Sequence, residues 1–295
     1  MFAQQERFED GAVFARFAAG MGYAGIEISH STEEGKLRAI AAAGVLPIVS
    51  LHQPAPLARY HDGRANSELN LAALDAEERR AAVAYALKTI DLAADVGARK
   101  VVVHLGHVDG EGLGPAMHEV YRAYHEGWAE RRAAAVRQQA IKMRADLAPA
   151  HVEAARRSLL ELVERGADSG VALGLENRLN YHEIPHPGEL PTLLEGVEPE
   201  QAGYWHDVGH AEVLARLGYI DRLEWFRADV ATIGAHVHDV DGIIDHRAPG
   251  DGDVEWGYLA QNLGHLDSYT LEINQHQPDE RVAAAIPYLR SVGLG

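Results

Sequence analysis

Short apolar runs alternate with longer segments of helical periodicity along most of the chain. Residues 9–21 place Val13, Phe14, Phe17 and Ala18 on one helical face, and residues 22–29 (GYAGIEIS) then read as a short strand. Residues 32–43 are helical again, with Gly44 in the position expected just past a helix end. VLPIVSLHQP is a buried strand ending at His52, followed by a Pro- and Gly-containing loop over residues 53–73. A long Ala-rich helix spans 75–96, and KVVVHLGH is a strand ending at His104. After an interruption come VALGLEN, ending at Glu176, and AGYWHDVGH, ending at Asp207. ATIGAHVHD ends around His236 and His238, SYTLEIN ends at Glu272, and a last helix covers 281–291.

Strands alternating with helices imply βαβ units and a parallel sheet. Seven strands, each followed by helix, fit a (β/α)8 TIM barrel better than an open sheet. Only MFAQQ precedes the first helix, so the first barrel strand is expected to be short or missing. A doubly wound open sheet is the weaker alternative, because no Gly-rich phosphate-binding turn follows any strand. Residues 107–148 form a helical insertion after the His104 strand, within one domain covering 1–295. Pro149 is expected to begin a separate helix running to about residue 167. The basic residues Arg131, Arg132, Arg137, Lys142 and Arg144 read as a solvated helix face, with a subunit contact or a lid as the alternatives.

Composition narrows the chemistry. The 295 residues carry 44 acidic against 27 basic side chains, a net charge of −17, and no cysteine. Disulfides and thiolate metal sites are excluded, so any metal must take His, Asp and Glu ligands, which suits Mn²⁺, Mg²⁺, Co²⁺ or Zn²⁺. No long apolar run suggests a membrane span or a signal core, and a cytoplasmic protein is expected. The strongly acidic balance repels a polyanion, so no nucleic-acid partner is expected.

The candidate chemistry lies at strand ends. His52, His104, Glu176, Asp207, His236 and Glu272 each end a different strand, and in a barrel those ends converge on one face. Converging carboxylates repel unless a cation or proton sits between them, which favours a metal site over a set of structural residues. GAHVHDVDGIIDHRAPGDG adds a dense cluster, with His236, His238, Asp239, Asp241, Asp245 and His246 inside eleven positions. Taken alone, that stretch reads equally well as an acidic solvated loop with incidental histidines. By strand alternation His236 and His238 point the same way, so spacing does not choose between them.

The motifs LGLEN, HDVGH, HVHD followed by HRAPGDGDVEW, and LEI, in this order and spacing, resemble the xylose isomerase-like barrel superfamily. That superfamily holds sugar and sugar-phosphate isomerases and epimerases together with the endonuclease IV group. The resemblance implies a divalent metal held by Glu176, Asp207, His236 and Glu272. His236 matches the first position of the family's His-x-x-Asp pattern, and His210 matches a residue that contacts substrate in isomerases and a further metal in the endonucleases. It further implies that His52 and His104 either bind substrate or join Glu176 around a second metal. His246 and Asp245 would help hold a third, although the two are adjacent here where the endonuclease pattern separates them. Many epimerases carry a carboxylate six residues after the strand-end Glu; here that position is His182, followed by Glu183. Arg178 is a candidate for binding an anionic group, or for pairing with Glu183.

Two activities follow. The first is metal-dependent isomerisation or epimerisation of a sugar or sugar phosphate through an enediolate, with Glu176 and Glu272 as the proton-transfer pair. The alternative is an endonuclease IV-like phosphoesterase using several metals. A barrel that only binds a ligand is a third, non-enzymatic reading. Net charge and the acidic loop after the His236 strand favour a small-molecule partner and the first activity. Oligomerisation is left open.

Overall fold

The computed structural model describes residues 7–295, so the expectation about a first strand at residues 1–5 lies outside the described residues. Seven parallel strands form one sheet in the order β1 (Ile26–Ile28), β2 (Ile48–His52), β3 (Lys100–Val103), β4 (Ala172–Glu176), β5 (Ala202–Asp207), β6 (Thr232–Val237) and β9 (Thr270–Leu271). Together with their helices they make the nearly closed TIM barrel that the alternation of elements predicts. A separate antiparallel hairpin, β7 (Asp239–Asp241) and β8 (Ile244–Arg247), rises between β6 and β9.

Among the described residues no strand bridges β1 and β9; side chains do. Glu27 of β1 accepts from Ser50 of β2 at 2.5 Å and from Thr270 of β9 at 3.3 Å. A fully buried carboxylate therefore joins the two ends of the sheet through hydrogen bonds, as burial of a charge demands. The barrel interior is filled partly by Trp205, which is 3 % exposed. Its ring lies over Gly234, where an added Cβ would sit 2.1 Å from the indole, so no larger residue fits there.

The long helix expected after the loop at 53–73 starts where its sequence signal says. Asp75 caps α3 (Ala76–Asp95), its Oδ1 accepting from the amides of Glu77 and Glu78. The insertion differs from expectation. After α1 (Gly11–Gly20), α2 (Glu34–Ala43) and α3, it comprises α4 (Leu113–His125) and the first part of α5 (Glu130–Ser169), a 40-residue helix running straight through Pro149. A proline inside a helix removes one hydrogen bond and ordinarily ends it. Here one buried stripe, Ala140, Arg144, Ala148, His151, Ala154 and Ala155, continues across the proline, and that packing carries the helix past the break.

Arg144 is not on a solvated face. It is 4 % exposed, donates to both carboxylate oxygens of Glu189 at 2.7 and 3.1 Å, and reaches the Glu183 carbonyl at 3.1 Å. The insertion thus clamps the segment that follows β4. His186 in that segment donates Nε2–H to the Tyr181 carbonyl at 2.7 Å and packs against the Tyr181 ring. Burial, with Arg144 next, lowers its pKa to about 3. Below the ordinary histidine pKa of about 6.5 the unfolded chain takes up a proton that the native state refuses. His186 therefore contributes stability that is full above about pH 6.5 and is lost as pH falls toward 3, at up to about 1.4 kcal/mol per pH unit. His186→Gln is expected to flatten the fall of the urea midpoint between pH 7 and pH 4.5. Identical pH slopes for the two proteins would refute this.

Candidate metal centre

The C-terminal ends of the strands build the site. Register places Asp207 of β5 directly beside His236 of β6, and Glu176 of β4 beside Trp205 of β5. Glu272 follows β9 immediately. Around Nδ1 of His236 lie Glu176 Oε1 at 2.6 Å, Glu272 Oε2 at 3.0 Å and Asp207 Oδ2 at 3.6 Å. Glu272 Oε2 makes no hydrogen bond despite its burial. Donor atoms of all four residues lie within 4.8 Å of one another. Three carboxylates and one imidazole nitrogen facing a common point are a fitting donor set for Mn²⁺, Mg²⁺, Co²⁺ or Zn²⁺, since a single ring proton cannot satisfy three anions.

Each ligand candidate is oriented from behind. Asp207 ends β5 and also caps α6 (Val208–Arg216), with Oδ1 accepting from the His210 amide at 2.7 Å. Asn177 staples the β4 and β5 ends together: its Oδ1 accepts from the Asp207 amide at 2.7 Å and its Nδ2 donates to the Asp207 carbonyl at 2.9 Å. Glu27 accepts from His236 Nε2 at 2.7 Å, which leaves Nδ1 to face the carboxylates. Burial opposes charging His236, yet Glu27, Glu272 and Glu176 overcome it and raise its pKa well above 6.5. The converse holds for Asp207: burial pushes its pKa up, but His210 and His238 hold it well below the usual range.

The structure separates the two histidines that spacing could not. β6 ends at Val237, and His238 turns to Asp207, donating Nε2–H to Oδ1 at 3.0 Å while Nδ1 accepts the His246 amide at 2.8 Å. Gly209 makes room for this ring, since a Cβ there would lie 2.0 Å from His238. Asp239 lies outside the site. Its two oxygens accept amides of Val240, Gly250 and Val254 and so tie the hairpin to the following turn. Asp241 is exposed and pairs with Arg247.

Of three further groups of donors among the described residues, one, Glu27, His52 and His236, shares His236 with the first, and two flank it. His52 and His104 touch through their Nε2 atoms, and both approach Glu176 Oε2, at 3.4 and 3.0 Å. His210, Asp245 and His246 form the other, with His246 Nδ1 3.0 Å from Asp245 and Nε2 3.4 Å from Glu272. The adjacency of Asp245 and His246 does not keep them apart, because His246 adopts φ +56, a left-handed conformation that folds both side chains toward His210. Arg178 pairs with Glu176 and, at 3.3 Å, with Glu183. His182 sits beside His107, with ring centroids 5.3 Å apart, and its carbonyl accepts the Val108 amide.

Glu27 and His30 are site residues that sequence reasoning passed over. His30 packs its ring against those of His52 and His104, and burial, with His52 and Arg178 adding to it, lowers its pKa to about 4. A cleft of about 220 Å³ opens beside the donors, lined by His30, Gln53, His104, His107, Arg178 and Glu183. That is smaller than the ~300–1,000 Å³ typical of sites for drug-sized ligands, so it suits a small occupant.

The model of a family described as xylose isomerase-like TIM barrel matches residues 15–292. Over 113 residues the chain is 26 % identical to the uncharacterized protein MJ1311 of Methanocaldococcus jannaschii, a match covering 37 % of this chain and only 38 % of that protein. Among solved structures, it resembles a D-tagatose 3-epimerase-like protein at 19 % identity and TM-score 0.69, over 99 % of this chain and 97 % of the other. It also resembles the TTHB071 protein of Thermus thermophilus, from a crystal soaked with ZnCl2, at 23 % identity and TM-score 0.58, over 93 % and 90 % of the two chains. No helix among the described residues is long and apolar enough to cross a membrane.

Proposed function

Because the chain belongs to the xylose isomerase-like TIM barrel family, we propose that it is a divalent-metal-dependent isomerase or epimerase of a small sugar or sugar phosphate. The observation that carries this reading is the convergence of Glu176, Asp207, His236 and Glu272 on one point at the strand ends. A bound metal would supply Lewis acidity, polarising a carbonyl and the neighbouring hydroxyl so that the C–H between them becomes acidic. Glu176 and Glu272 come from strands on either side of the β5–β6 pair. One carboxylate would take the proton from that carbon, and the other, once it has taken up a proton from solvent, would deliver it to the neighbouring carbon or the opposite face, leaving one carboxylate protonated and one ionised as before. Asp207, which caps α6 and is fixed by His238, keeps its charge and serves as a ligand alone. His210 and the residues of the small cleft bind the substrate's hydroxyls; a phosphate would have to share Arg178 with Glu176 and Glu183.

Solvent-deuterium incorporation, followed by mass spectrometry over a panel of sugars and sugar phosphates, tests the reading. Exchange at one carbon adjacent to a carbonyl is expected. Cleavage of an abasic-site oligonucleotide with no exchange on any sugar would replace it with the phosphoesterase reading. That second reading is favoured by the two flanking donor groups, His52–His104–Glu176 and His210–Asp245–His246, which are the kind of sites a multinuclear enzyme would fill.

Glu27 is proposed to tune the metal through His236. A carboxylate on the far nitrogen of a ligating imidazole fixes the tautomer and raises basicity. Glu27→Gln is expected to weaken Mn²⁺ or Zn²⁺ binding by about 10–100-fold in chelator competition, with the fold retained by circular dichroism. Unchanged affinity would refute this role.

A further inference from the structure

We propose that Arg178 occupies the second cation position of this site and limits the His52–His104–Glu176 cluster to a guanidinium instead of a metal ion. The inference rests on the isomerase reading of the same site and adds the metal count to it. Glu176 divides its oxygens between two neighbourhoods. Oε1 faces His236 Nδ1 at 2.6 Å, in the four-residue donor set. Oε2 faces His104 Nε2 at 3.0 Å and His52 Nε2 at 3.4 Å, and the same oxygen accepts a hydrogen bond from Arg178 Nη1. The atom a second metal would share with the two histidines is therefore already bonded to a fixed positive charge.

Arg178 is held there from both ends. Its Nε lies 3.3 Å from Glu183 Oε1, and Glu183 Oε2 is itself anchored by the Asn180 amide at 2.7 Å and the Asn180 side chain at 3.0 Å. The Arg178 side chain is 16 % exposed, so solvent screens its charge little. A divalent ion would sit about 2.0–2.3 Å from its ligand atoms. Bound to Glu176 Oε2, it would lie only a few ångströms from the guanidinium carbon, and at protein dielectric such like charges repel strongly. The cation beside the histidine pair is thus supplied by the chain two residues after Glu176. Proton transfer at carbon needs one metal, whereas in-line displacement at phosphorus commonly uses a pair.

Counting ions tests the proposal. The chelator-stripped protein, reloaded with Mn²⁺ and desalted, is assayed by elemental analysis and by electron paramagnetic resonance, which distinguishes an isolated ion from a spin-coupled pair. The wild type and His104→Ala are expected to hold the same number of ions, with no coupled-pair signal. Arg178→Met is expected to gain one ion per chain together with a coupled signal, and His104→Ala in that background to lose both. Should Arg178→Met fail to fold because Glu183 loses its partner, Arg178→Met combined with Glu183→Gln removes both charges. A wild type that loses one ion on His104→Ala overturns the proposal, as does a folded Arg178→Met that gains none. Absence of sugar exchange in a protein that passes these counts would refute the isomerase reading while leaving the role of Arg178 standing.

Discussion

Glu272→Gln is expected to slow solvent exchange at the substrate carbon by about 10²–10⁴-fold, the usual worth of a positioned acid or base. Glutamine nearly preserves the shape of the side chain but cannot accept a proton at working pH. Glu272 follows β9 with His236 3.0 Å from one oxygen and His246 3.4 Å from the other, so both oxygens are already directed. Burial raises its pKa, but His236 and His246 more than offset this and hold it well below the ordinary value, keeping it ionised and ready to act as a base. Three of the four donors remain, so metal content is expected to fall far less than exchange, with the loss in kcat rather than KM. A variant that loses its metal in parallel with its exchange would show that Glu272 acts as a ligand alone. The measurement is deuterium incorporation alongside elemental analysis of the same preparation.

Glu176→Ala should do two kinds of damage. It removes the carboxylate shared by the two donor groups, and metal affinity is expected to fall by more than about 100-fold, beyond the range seen when only a supporting residue is lost. It also leaves Arg178 buried with Glu183 as its remaining partner. Removing one member of a buried pair costs up to about 3–5 kcal/mol. At roughly 2–4 °C per kcal/mol for a chain of this order of size, the metal-free melting temperature should fall by about 10 °C. Glu176→Ala combined with Arg178→Met should recover much of that stability and none of the metal binding. A metal-free single variant that melts with the wild type would mean that the Arg178–Glu176 pair contributes nothing to stability.

The strand ends were legible because each closes a short apolar run with a polar residue, and barrel geometry brings such ends to one face. His52, His104, Glu176, Asp207, His236 and Glu272 meet as that pattern implies. Glu27 was not legible: it sits inside the apolar run GYAGIEIS, one residue from the strand's end, and only the fold shows that it reaches His236 across the barrel. His30 had a weak signal, two positions beyond β1, but it lacked a motif. Pro149 misled because the preference of one residue is local, while the stripe from Ala140 to Ala155 is buried by tertiary packing. Arg144 misled for a related reason. An arginine on a helix rich in charge is normally solvated, and its partner, Glu189, is 45 residues away. His236 and His238 share a strand face in sequence, and they diverge only because β6 stops at Val237.

The hairpin β7–β8 has a consequence for how such a site can change over time. The four-residue donor set stands on strand ends that cannot move without disturbing the barrel. Asp245 and His246, by contrast, ride on a hairpin fastened by Asp239 at its base, by Val240 buried in the core, by Arg216 bonded to the Gly242 carbonyl at 2.7 Å, and by the His246 backbone, whose amide donates to His238 and whose carbonyl accepts from the Asn274 amide. Val240 packs into the core, but Asp245 and His246 do not belong to it. A lineage could therefore exchange this segment as a cassette, altering which molecule is recognised while inheriting the reaction unchanged, and laboratory grafting of hairpins between relatives at the Asp239 and Gly250 joints would follow the same route.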